Sequence, residues 1–99
     1  MARAFVYMLV NYKGGAIYTG LTKDLPSRVH DHKIKRDPKS FTAEHNIHRL
    51  VWFEDFDNIN DAIATEKRMK GWRRAWKINT IEAANPNWQE LDPITGGFK

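Results

Sequence analysis

The sequence contains no cysteine, which removes disulfide-stapled secreted scaffolds, thiolate zinc fingers and cysteine nucleophiles from consideration. It also lacks a long apolar run. The opening "MARAFVYMLV" is too short to span a bilayer, and no small-residue cleavage site follows it. That segment reads as a first strand, and the chain is expected in the cytoplasm with no membrane partner. Repeats, low-complexity tracts and interdomain linkers are missing as well, and 99 residues are too few for two independent cores. A single domain over residues 1–99 is expected, with its core over roughly 4–90.

What is present has the composition of a folded domain. Hydrophobic residues make up 41% of the chain, with four Trp and five Phe, enough for a real core. Sixteen Lys and Arg against twelve Asp and Glu give a formal charge of +4, a balance that leans toward a polyanionic partner. The cations gather in "KRMKGWRRAWK", residues 67–77, and the acids in "FEDFDNIND" and the C-terminal tail.

Residues 4–10 and 16–22 are apolar and rich in β-branched and aromatic side chains, and "NYKGG" between them supplies the turn of an antiparallel hairpin. Asp24 can cap a helix that begins at Leu25, carries Pro26 in its first turn and runs to Lys35 or Arg36. The polar "RDPKSFTAEHN" reads as a loop and "HRLVWFEDF" as a third strand. A second helix starts at Asn58 or Asn60 and runs to Gly71, and "WRRAWKINTIEAA" reads as a third, closed by "NPNW".

Two of these helices carry polar groups where the pattern calls for apolar ones. His32 lies about −20° from Leu25 on the inward stripe, and Arg28 flanks it at about −60°. Glu66 lies about −20° from Ile59 on the inward face of the second helix. A carboxylate in such a setting needs a cation, because desolvating an unpaired charge costs several kcal/mol. Either Arg28 or a lysine in a structural ion pair, or a divalent metal completed by water and substrate phosphate, meets that need. Tyr7 and Tyr18 fall on neighbouring strands, where two rings packed in a half-buried sheet is the plain reading. Beside an arginine, a histidine and a glutamate they acquire a chemical one, since a phenol can position or deprotonate water and a guanidinium can grip phosphate.

These residues, in this order, resemble the GIY-YIG nuclease superfamily, in particular its small single-domain bacterial members. Phe5, Val6 and Tyr7 correspond to the first half-motif, and Tyr18, Thr19 and Gly20 to the second. "LTKDLPSRVHDH" corresponds to the family's helix with Arg28 and His32, and Glu66 within "AIATEKRMKGWRRAWKINTIE" to its glutamate. Phe5 stands where the family has glycine and Thr19 where it has isoleucine. Asn85 is the counterpart of a late family asparagine, with helix termination before Pro86 as its alternative role.

The resemblance implies an α+β fold, a three-stranded antiparallel sheet flanked by about three helices. It further implies a metal-dependent endonuclease that hydrolyses DNA phosphodiester bonds in repair or processing, structure-directed or weakly specific, with RNA left open as a substrate. Its cofactor would be one divalent metal, magnesium or manganese, held by Glu66. Tyr7 or Tyr18 would be the base or its helper, Arg28 the phosphate clamp and His32 a proton relay or orienting group. A phenol with a pKa of about 10 is a poor base at neutral pH, so the metal and Arg28 would have to lower it. Lys67, Lys70, Arg73, Arg74 and Lys77 could follow a nucleic-acid backbone, the alternative being a solvated helical face. Trp72 and Trp76 read as core or interface packing. The chain carries no separate DNA-binding domain of the kind larger relatives attach, which suggests loose specificity or a protein partner for targeting. A non-catalytic nucleic-acid-binding or adaptor module on the same fold is the alternative.

Overall fold

A computed structural model describes residues 3–99; Met1 and Ala2, the start of the segment read above as a first strand, lie outside the described residues. Three antiparallel strands, β1 (Ala4–Val10), β2 (Ile17–Thr22) and β3 (Arg49–Phe56), form one sheet in the order β2-β1-β3. Four helices accompany it: α1 (Leu25–Lys33), α2 (Phe41–Glu44), α3 (Ile59–Lys70) and α4 (Arg74–Ala84). The expected α+β architecture is therefore present, with one helix more than anticipated. Among the described residues no helix is long and apolar enough to cross a membrane.

The central strand explains the layering. "AFVYMLV" is apolar throughout because β1 is covered on both faces, and alternate side chains go to different cores. Val6, Met8 and Val10 join Val51, Ala62 and Met69 of α3 and Ile81 of α4. Tyr7 and Leu9 join Leu50, Leu25 and Val29 of α1, and Ile47. Burial of these aliphatic side chains stabilises each layer by about 1.5–3 kcal/mol apiece relative to exposure.

The hairpin turn closes through the Gly15 amide on the Tyr12 carbonyl, with Gly14 at φ 77°, a region that favours glycine. Asn11 Oδ1 accepts from the Tyr12 and Ala16 amides, and Arg74 donates to the carbonyls of Gly14 and Gly15, tying α4 to this turn. Asp24 caps α1 by accepting from the Ser27 amide, with Pro26 in the first turn as expected. The helix stops at Lys33, short of the expected end, because Lys35 takes φ 54°; the Lys35 and Arg36 amides then reach back to the His32 and Asp31 carbonyls. That bond pattern is a Schellman closure, here without the glycine that usually announces it.

The stretch expected as a plain loop contains α2, capped by Ser40, whose Oγ accepts from the Ala43 amide. Asn58 caps α3 as expected, while α4 begins two residues later than expected, after Arg73. Asn85 is buried. Its Nδ2 donates to the Val51 and Gln89 carbonyls and its Oδ1 accepts from the Gln89 amide, so it ends α4 and pins that end to β3.

Candidate active site

Strand register brings the tyrosines together. Tyr7 pairs with Gly20 and Leu9 with Tyr18, so the two phenols are diagonal neighbours on the face covered by α1, ring centroids 6.2 Å apart. Gly20 makes this possible: a Cβ there would sit 2.5 Å from Cζ and Oη of Tyr7 and 2.9 Å from Cε2 of Tyr18. The buried Tyr7 ring thus fills the space that a side chain on β2 would take. Thr19, in the isoleucine place of the half-motif, points to the other layer opposite Met8; it is buried and its Oγ1 has no hydrogen-bond partner.

From α1, His32 comes down on both rings, 6.1 Å from Tyr7 and 5.5 Å from Tyr18. Its Nε2 lies 3.2 Å from Tyr7 Oη and its Nδ1 3.1 Å from Thr42 Oγ1 on α2, which in turn contacts Ser40 Oγ. A neutral imidazole has one N–H and one bare nitrogen, so either tautomer satisfies both neighbours and protons can pass either way. Thr42 is the supporting residue that sequence reasoning missed. Its signal was faint: a Ser cap before a helix of only four residues.

The electrostatics of Tyr7 and His32 follow from their packing. Burial, reinforced by the neighbouring Tyr18, raises the pKa of Tyr7, and the opposing influence of Arg28 does not overcome it. Without a metal, Tyr7 is therefore a neutral phenol at physiological pH, and Arg28 alone does not lower its pKa below the ordinary value. Burial, with Arg28 adding to it, depresses the pKa of His32 below its ordinary 6.5, which keeps the ring uncharged at neutral pH.

Arg28 is exposed, not inward-facing as expected. A cavity of about 270 Å³ opens beside it, lined also by Tyr18, Asp31, His32, Phe41 and Thr42. Tyr18 is thus the phenol with access to this space, and Tyr7 the one sealed behind it.

Glu66 does not line that cavity. Although α3 belongs to the other layer, β2 is an edge strand, and Glu66 comes near enough that its charge bears on Tyr7. Its side chain is 15% exposed, so it is reachable from solvent, and Oε2 lies 2.8 Å from Lys70 Nζ. Of the cations expected at Glu66, the structure supplies a lysine from the same helix, and that hydrogen bond pushes the pKa of Lys70 up. Lys67 and Arg73 are exposed and Lys77 is half-buried. Arg74 is committed to the hairpin turn. Trp72 packs against the core as expected, but Trp76 is 56% exposed.

The donor set can be tested against the metal. Among the described residues no group of three or more His, Cys, Asp or Glu could hold an ion, so an all-protein cage is not built here. A single accessible carboxylate fits magnesium or manganese, which keep several waters and borrow phosphate oxygens from substrate. Glu66 meets that description.

Comparison with known proteins identifies what the chain as a whole is similar to. A family model described as the GIY-YIG catalytic domain matches residues 3–79. A UPF0213 protein of Staphylococcus saprophyticus is 31% identical over 81 residues, covering 82% of this chain and 96% of the relative. One from Pediococcus pentosaceus is 28% identical over 82 residues, covering 83% and 85%. The solution NMR structure of a UPF0213 protein from Bacillus halodurans superposes with a TM-score of 0.54 at 25% identity, over 93% of each chain.

Proposed function

Because the chain belongs to the family of GIY-YIG catalytic domains, a nuclease family, we propose that it is an endonuclease that hydrolyses phosphodiester bonds in DNA. The observation that carries this reading is the convergence of Tyr7, Tyr18 and His32 beside a solvent-open cavity bordered by Arg28, with Glu66 close by. One divalent cation, magnesium or manganese, held by Glu66, would supply charge neutralisation at the phosphoryl oxygens and acidify a water.

The chain's own residues take the remaining roles. Arg28, exposed at the cavity, grips the non-bridging phosphate oxygens through its two-pronged guanidinium. A preorganised cation of this kind is worth on the order of 3 kcal/mol in the transition state. Tyr18 faces the cavity and orients the attacking water. Tyr7 remains protonated and links that phenol to His32, which, being neutral, can take up the released proton. Thr42 fixes the imidazole from behind.

Exposed cations in residues 67–77 add sequence-independent attraction to the backbone. With no dedicated reading element among the described residues, recognition falls to DNA structure or to a protein partner, in repair or processing within the cytoplasm. A non-catalytic module on this fold is the competing reading, favoured by the Glu66–Lys70 pair. Incubation with branched, flapped, nicked and single-stranded DNA and with RNA, in magnesium or manganese, tests the proposal. Cleavage by wild type that falls at least a hundredfold in Arg28→Ala is expected, from roughly 3 kcal/mol of lost stabilisation. Equal, faint cleavage by both proteins would leave the binding module as the better account.

A further inference from the structure

The cation now resting on Glu66 differs from its partner in one mechanical respect. Glu66 is anchored in the half-buried face of α3 and only 15% of its side chain is exposed, whereas 51% of the Lys70 side chain is in solvent. The ammonium also sits within electrostatic reach of Tyr18, on the cavity side of the sheet. A compact charge on a long flexible stem can leave a fixed carboxylate without any backbone movement. It can also settle on another anion nearby.

We propose that Lys70 is a built-in competitor for the metal position: it holds Glu66 while the site is empty, is displaced by the divalent cation, and then turns its ammonium toward the substrate phosphate. This rests on the reading of Glu66 as the metal ligand. Arg74, another cation of the 67–77 segment, is not free for this exchange, because its guanidinium is engaged by the Gly14 and Gly15 carbonyls. The exchange conserves protons, since Lys70 remains an ammonium on either anion. Its consequence is weak metal binding in the free protein and tighter binding once a phosphate draws the lysine away. Metal and nucleic acid then bind cooperatively, each lowering the cost of the other.

Manganese binding, measured without DNA by the paramagnetic resonance of the free ion, tests this on the whole chain. Removing the competitor in Lys70→Met, which keeps the apolar stem, is expected to tighten binding about three- to tenfold, from the lost ion pair and the relieved repulsion between like charges. Lys70→Arg is expected to bind no more tightly than wild type, and Glu66→Gln to lose the site. Should Lys70→Met bind manganese no better than wild type while Glu66→Gln loses it, the competitor role is wrong and the metal reading stands. Should Glu66→Gln bind like wild type, the metal reading itself falls, and the competitor role with it. Thermal melts of each variant confirm that folded protein is being titrated.

Discussion

Replacing Gly20 by alanine probes the packing that gives the site its shape. The new Cβ would stand 2.5 Å from Cζ and Oη of Tyr7, well inside the 3.0 Å below which real Cβ contacts essentially never fall. Tyr7 has no room to retreat, being 0% exposed between the strands and α1. Overpacking of this kind costs about 1–3 kcal/mol, and shifting the phenol off His32 removes a hydrogen bond worth about 1 kcal/mol. Alanine in place of glycine in a strand returns about 0.5–1 kcal/mol. The net is a loss of about 2 kcal/mol, which in a domain of this size lowers Tm by roughly 8–16 °C. Urea unfolding followed by tryptophan fluorescence measures it. The same substitution in a Tyr7→Ala background, where only the 2.9 Å approach to Tyr18 is left and that ring has the vacated space to move into, is expected to cost far less, so the cycle isolates the Tyr7–Gly20 contact. A Gly20→Ala protein within about 0.5 kcal/mol of wild type, or one equally destabilised in both backgrounds, would refute the close-packing argument.

Other consequences follow from individual groups. Thr19→Val removes a buried hydroxyl that has no partner while keeping its shape, and is expected to raise stability by about 1 kcal/mol, read from the urea midpoint. Asn85→Ala strips three side-chain hydrogen bonds from a buried position and is expected to cost about 2–4 kcal/mol, with unfolding by calorimetry as the check. His32 has a depressed pKa in the folded chain, so as pH drops below about 6.5 the unfolded chain takes up that proton first and stability declines. Above that pH the contribution is fully present. A urea midpoint that falls between pH 7.5 and 5 more steeply in wild type than in His32→Gln checks the sign; parallel profiles would contradict it.

Much of this was legible because periodicity reports which face a residue occupies. Apolar, β-branched and aromatic density, the hairpin turn, and the caps and breakers of the helices located every strand and the three longer helices. His32 and Glu66 were legible as polar groups on apolar helical stripes, and the tyrosines through their places in the two half-motifs. Arg28 was not, because a residue at the margin of a stripe can turn either way, and this one turns to solvent. The early end of α1 escaped notice since a lysine, not glycine, takes the left-handed position. Thr42 was hidden because its role depends on a contact ten residues back along the chain, made by a helix too short to show a period. The direction of the Tyr7 shift was also out of reach: it depends on burial behind Tyr18, a tertiary fact that no local pattern encodes.

The central claim is that Glu66, Tyr18, Arg28 and His32 surround one metal-dependent reaction centre. Titrating manganese into isotope-labelled protein with a non-cleavable phosphorothioate oligonucleotide, and mapping which NMR signals broaden, tests it directly. Broadening centred on those four residues and abolished by Glu66→Gln is the expected result. Broadening that instead gathers on the acidic segment of residues 54–61, or that survives Glu66→Gln, would contradict the account.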